Sequence, residues 1–133
     1  MLTQAKTMLA AAAAFGAAAV AVGAFGAHGL KPLLSDYQTD IFEKGVQYQF
    51  YHSLALLGVG LLSQRQNSAA NIWAARLFVL GMLFFSGSLY LLACRDILPF
   101  PTGWAGPITP IGGLCFIAGW LLLLRSALRM RVG

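Results

Sequence analysis

Polar and apolar positions along this chain separate into long blocks instead of alternating residue by residue. Four apolar blocks, at about 7–27, 46–63, 72–93 and 107–124, approach the roughly 20 consecutive residues that an α-helix needs to cross a bilayer. Polar stretches divide them: "GLKPLLSDYQTD", "QRQNSAAN" and "CRDILPFPTGW". The period-2 alternation of a membrane barrel is absent. The pattern predicts an all-α integral membrane protein, a single domain over residues 1–133 folded as a four-transmembrane-helix up-down bundle.

Local signals refine the helix ends. Lys6 followed by an Ala-rich core, with small residues at Ala24 and Ala27, has the look of a signal peptide. The apolar run continues too far for one, and with Met1 at its head the block is expected to be a retained helix. That helix should end at Gly29, with His28 turned towards the interior. Ser35 and Gln38 have capping-box spacing, which predicts a helix start near Asp36. Tyr37, Ile41, Tyr48 and His52 then fall near one helical stripe. This stretch is expected to be an extra amphipathic outer segment before the second span. Pro107 and Pro110 should open the fourth helix, with Pro110 leaving a local break near Thr109.

Composition agrees with a membrane setting. The chain is 59% hydrophobic and only 10% charged, against about 25% charged in soluble domains. Its net charge of +5 forms no basic patch, because the cations are scattered at block ends, so nucleic acid is not an expected partner. Those cations orient the helices instead. Lys6, Arg65, Arg76, Arg125, Arg129 and Arg131 fall on one side, and Lys31, Lys44 and Arg95 on the other. The asymmetry predicts that both termini face the cytoplasm, with all four acids (Asp36, Asp40, Glu43, Asp96) outside. Trp73 and Trp120 would mark the inner interface, and Trp104 and Tyr90 the outer one. Cys94 and Cys115 show no CxxC spacing and read as small apolar residues.

Depth along each helix, at about 1.5 Å per residue, groups the polar side chains. Gln49, Ser86, Ser88 and Thr109 fall roughly 20 Å from the inner ends and His52 slightly deeper, at about 16 Å. Tyr48 lies beside them, and Tyr90 and His28 lie nearer the outer surface. The inner halves read as Leu, Ala, Val and Gly. Polar groups in hydrocarbon need partners, so a polar cluster or pocket in the outer half of the bundle is expected. His52 is expected to bond Ser86, Ser88 or Gln49. Two histidines at depths roughly 15 Å apart do not suit a shared haem iron. No nucleophile–base pair, metal set or phosphate loop is visible, so no catalytic residue, metal or cofactor is expected. Gly16, Gly23, Gly26, Gly87, Gly112 and Gly113 are expected to allow close helix approach.

The stretches "GAFGAHGL", "FEKGVQYQFYHSLALL", "FFSGSLYLL" and "GPITPIGGLCFIAGW" together resemble the family called domain of unknown function 423, whose eukaryotic relative is transmembrane protein 256. The likeness covers about residues 16–125. Its signature falls here on His28, Gly29, Phe42, Glu43, Tyr48, Gln49, His52, Ser86, Gly87, Ser88, Tyr90, Pro107, Pro110, Gly112 and Gly113. The resemblance implies a four-span protein of the bacterial inner membrane, or of a mitochondrial membrane in a eukaryote, and implies no particular activity. The expected role is a non-enzymatic structural or accessory protein in contact with membrane lipids, assembling as a homo-oligomer or within a larger membrane complex. The alternatives are an oligomeric carrier or channel for a small polar solute or proton, and lipid, quinone or haem binding.

Overall fold

The computed structural model describes residues 2–131, and among these there is no strand. Five helices succeed one another: α1 (Leu2–Phe25), α2 (Asp36–Arg65), α3 (Ala69–Gly81), α4 (Gly87–Ala93) and α5 (Ile108–Leu128). A π turn over Met82–Ser86 joins α3 and α4 into one rod, Ala69–Ala93. Three runs, Thr3–Leu33, Ala69–Ala93 and Gly103–Leu128, are long and apolar enough to cross a membrane. The stretch containing the expected second span is not among them. Its helix, α2, opens with Asp36, Asp40, Glu43 and Lys44 and continues through Gln47, Gln49, His52 and Ser53. Gly133, at the expected cytoplasmic C-terminus, lies outside the described residues.

The helices form two pairs, α1 along α2 and α3 along α5, which meet where α2 lies against α3, the π turn and α4. The Asn67 side-chain amide donates to Gln4 Oε1 (2.8 Å), and Ser126 Oγ donates to Asn71 Oδ1 (2.5 Å). These bonds bring the start of α1, the α2–α3 turn and the end of α5 to one end of the molecule. At the other end Leu30, Phe42 and Ala93 form a small apolar cluster, and Gln38 Nε2–H donates to Asp96 Oδ2 (2.7 Å). The main core between them contains Met8, Leu56, Val59, Phe78, Met82 and Phe116.

The capping box is present: Ser35 Oγ accepts from the Gln38 N–H and Gln38 Oε1 from the Ser35 N–H. It starts one unbroken helix of 30 residues, so the amphipathic outer segment is the first part of α2 itself. The expected stripe holds in part: Ile41 and Tyr48 pack against the apolar clusters and His52 is buried, but Tyr37 is 73% exposed. The fully buried face runs through Phe42, Gly45, Gln49, His52, Leu56, Val59 and Ser63. Polar and small residues occupy this face because contact with hydrocarbon would strand their polar groups. Phe50, Leu54, Leu57 and Leu61 face outwards instead.

Two expected helix ends also differ. Gly29 does not stop the first helix, because a π turn (Gly26–Leu30) and a 3₁₀ turn (Lys31–Leu33) carry it on until Leu34 becomes extended. Gly29 has no positive φ, and a Cβ there would press on the Phe25 ring. Pro110 makes no break, since it sits in the first turn of α5, where a missing N–H leaves no intrahelical bond unmade.

Candidate functional site

The polar residues singled out from the sequence form separate links, each tying α2 or its neighbours together. Gln49 uses both ends of its amide: Nε2–H donates to the Phe15 carbonyl of α1 (2.9 Å), and Oε1 accepts from Tyr90 O–H of α4 (2.6 Å). Gly45 makes room for this, because a Cβ there would lie 2.8 Å from the Tyr90 ring. Ser86, at the end of the π turn, donates to the Gly45 carbonyl (2.6 Å) and fixes the turn against α2. Ser88 donates to the Phe85 carbonyl (2.9 Å) and lies 2.5 Å from Thr109 Oγ1. With the Ser88 proton so placed, Thr109 is the donor between the two hydroxyls.

His52 is the centre of the aromatic interior. Its Nδ1 lies 2.7 Å from the Tyr48 carbonyl oxygen, and Trp120 Nε1–H donates to its Nε2 (3.0 Å). A carbonyl can only accept and an indole N–H can only donate, so these partners require the neutral Nδ1–H tautomer. The ring stacks on Phe116 with centroids 3.5 Å apart, and Tyr48 stacks on Phe85 at 4.7 Å. Both ring nitrogens therefore have a partner within the protein. The expected partners Ser86, Ser88 and Gln49 are spoken for elsewhere. Trp120, expected at the inner interface, is the partner that depth along the sequence does not reveal. It sits 12 residues into α5 (120 − 108), about 18 Å along the helix, with its N–H turned inwards. Tyr90, expected at the outer interface, likewise turns its hydroxyl in to Gln49.

His28 does not join this group. It is exposed at the end of α1, because the continuing π turn buries Gly26 and Leu30 and turns residue 28 away. Nor are the expected inner halves wholly apolar. Asn71 and Ser126 are fully buried beside Gln66: Asn71 Nδ2–H donates to the Gln66 carbonyl (2.7 Å), while Ser126 donates to Asn71. A third span read from residue 72 leaves Asn71 in a loop. The signal for an earlier start is Ser68, whose side chain caps the Asn71 N–H (3.1 Å). Among the described residues, Ser63 Oγ is the buried side-chain polar atom without a partner.

The glycines divide. A Cβ at Gly23 would press on Val46 at 3.1 Å, one at Gly26 would enter the Phe42 ring, and one at Gly112 would meet the Phe85 backbone nitrogen. Gly16 and Gly113 have ordinary clearance, at 3.8 and 3.9 Å, and Gly87 has nothing within 4 Å, so these three do not set helix approach. Both cysteines are free and partly buried. Burial pushes the Cys94 thiol, just beyond α4, up from its ordinary value, which lowers the thiolate fraction a nucleophile needs. Among the described residues no three His, Cys, Asp or Glu side chains converge as a metal set.

The model of the family "Protein of unknown function (DUF423)" matches residues 22–113 of this chain. A UPF0382 membrane protein of Staphylococcus haemolyticus is 50% identical over 110 residues, covering 83% of this chain and 85% of its own length. The UPF0382 inner membrane protein YgdD of Escherichia coli K12 is 40% identical over 126 residues, covering 95% and 92%. No solved structure matches.

Proposed function

The chain belongs to the DUF423 family of membrane proteins, and on that premise we propose that it is a non-enzymatic accessory protein of a bacterial inner membrane, a four-span up-down bundle that assembles through its lipid-facing helices. The observation that carries this reading is that both ends of the Gln49 amide bond to α1 and α4, while the two ring nitrogens of His52 are taken by Trp120 of α5 and by the Tyr48 carbonyl of α2 itself. A carrier or channel needs polar groups free to meet a solute along a path, whereas these are bonded to one another and to backbone. The name of the Escherichia coli relative supports the inner membrane. The six cations at the end shared by Gln4 and Ser126, against three cations and four acids on the other side, support cytoplasmic termini. The second span crosses in spite of its polar residues because other helices cover Gln49, His52, Ser53 and Ser63.

The assembly surface in this reading is the outer face of α1. Gly23 and Gly26 turn inwards on α2, while Ala10, Ala13, Ala14, Ala17, Ala21 and Ala24 are exposed. Small side chains let another helix approach closely. Native mass spectrometry after extraction in mild detergent tests this. We expect a homo-oligomer or a complex with a larger membrane protein, and expect Ala17→Leu to release the monomer without changing its melting temperature. Wild-type protein that runs alone as a monomer and conducts protons in liposomes contradicts the reading.

A further inference from the structure

An open groove of about 520 Å³ lies between α1 and α3, floored by Leu56 of α2. Met8, Ala11, Val79 and Leu80 make most of its wall apolar, and Thr3, Gln4 and Thr7 of α1 line it together with Arg76 and Trp73 of α3. We propose that this groove binds one anionic phospholipid, with an acyl chain lying between α1 and α3 and the phosphate resting on Arg76. The proposal rests on the membrane-spanning reading above.

Charge identifies the headgroup. Arg76 lies seven residues into α3, about 10 Å along the helix from Ala69, a depth from which a long side chain reaches back to the interface. It has no carboxylate partner among the described residues. Asp36, Asp40 and Glu43 begin α2 and Asp96 lies just beyond α4, all at the opposite end. The guanidinium carbon sits 4.9 Å from the centre of the Trp73 ring. This cation–π contact holds the guanidinium over the ring, and a guanidinium can bind a phosphate bidentately. Basic pockets between spans on the cytoplasmic side are a recurring headgroup site.

Shape suits a thin apolar occupant. From Ile72 to Leu80 the groove runs along α3 for about 12 Å. A flexible acyl chain is thin enough to lie in it.

The test is native mass spectrometry of purified protein titrated with phosphatidylglycerol or phosphatidylcholine of identical acyl chains. Wild type should retain phosphatidylglycerol about fivefold more strongly, the effect of one cation near the surface. Arg76→Gln should abolish that preference, and Arg76→Lys should keep part of it. Ala11→Phe should weaken retention of both lipids by filling the groove, while Arg129→Gln, beyond α5, should keep the preference. Equal retention of the two lipids by wild type, or an unchanged preference in Arg76→Gln, overturns the proposal. A chain that stays soluble without detergent and retains neither lipid overturns the membrane reading itself.

Discussion

Replacing Gly112 by valine should destabilise the bundle by about 3 kcal/mol, the upper part of the range for overfilling a close contact. A Cβ at this position would fall on the Phe85 backbone nitrogen, and its next neighbour, the Phe85 Cα, would be 2.8 Å away. The far end of a flexible side chain could swing aside, but helix backbone cannot. Moving Phe85 would also move the π turn and break the Ser86 bond to the Gly45 carbonyl. The neighbouring glycines supply the control. Gly113→Ala and Gly87→Ala have room, and removing a helical glycine favours the helix by up to about 1 kcal/mol. Thermal melts in detergent should rank Gly112→Val well below wild type, with the two alanine variants at or above it. Equal melting of Gly112→Val and wild type excludes the α5–π-turn contact.

His52→Ala should cost a similar amount, about 3 kcal/mol, for a different reason. It removes the ring sandwiched against Phe116 and leaves the Trp120 N–H without its acceptor. His52→Gln should cost less, because an amide oxygen can still accept from Trp120. Trp120→Phe measures the bond from the other side. The double-mutant coupling between positions 52 and 120 should lie near 0.6 kcal/mol, the average for hydrogen bonds inside membranes, and below about 1.7 kcal/mol. Additive effects of the two substitutions contradict the His52–Trp120 bond.

Some forces leave a linear trace in the sequence and others do not. Helix lengths and the Ser35–Gln38 cap leave one, since blocks of apolar residues and a spacing of three are local features. The charge asymmetry between the two ends is equally plain along the chain. Partner choice leaves a weaker trace. Depth counting puts Gln49 near Ser86 and Ser88 near Thr109, but depth says nothing of rotation about the helix axis. Gln49 therefore meets Tyr90 and Phe15, and His52 meets Trp120. The stripe from Tyr37 to His52 is incomplete for a related reason: Tyr37 lies outside it, and Gly45 and Gln49 belong to the buried face. In water the apolar stripe is the buried one, whereas on α2 Gly45, Gln49 and His52 are inside and Leu54 and Leu57 are outside. His28 turns outwards because a π turn adds a residue to the helical turn and rotates the residues beyond it, and "GAHGL" gives no sign of it.

A closed bundle requires an interior shut to water, and thiol labelling at Ser86 reads that property in one step. Ser86 is fully buried and bonded to Gly45, and cysteine differs from serine by little volume. In a chain carrying Cys94→Ser and Cys115→Ala, Ser86→Cys should resist a membrane-impermeant maleimide applied to either face of intact membranes. It should react fully once the protein is denatured, while Asp40→Cys on the exposed start of α2 reacts at once. Labelling of Ser86→Cys in the folded protein, from either face, would show a water-filled path through the polar residues and contradict the closed bundle.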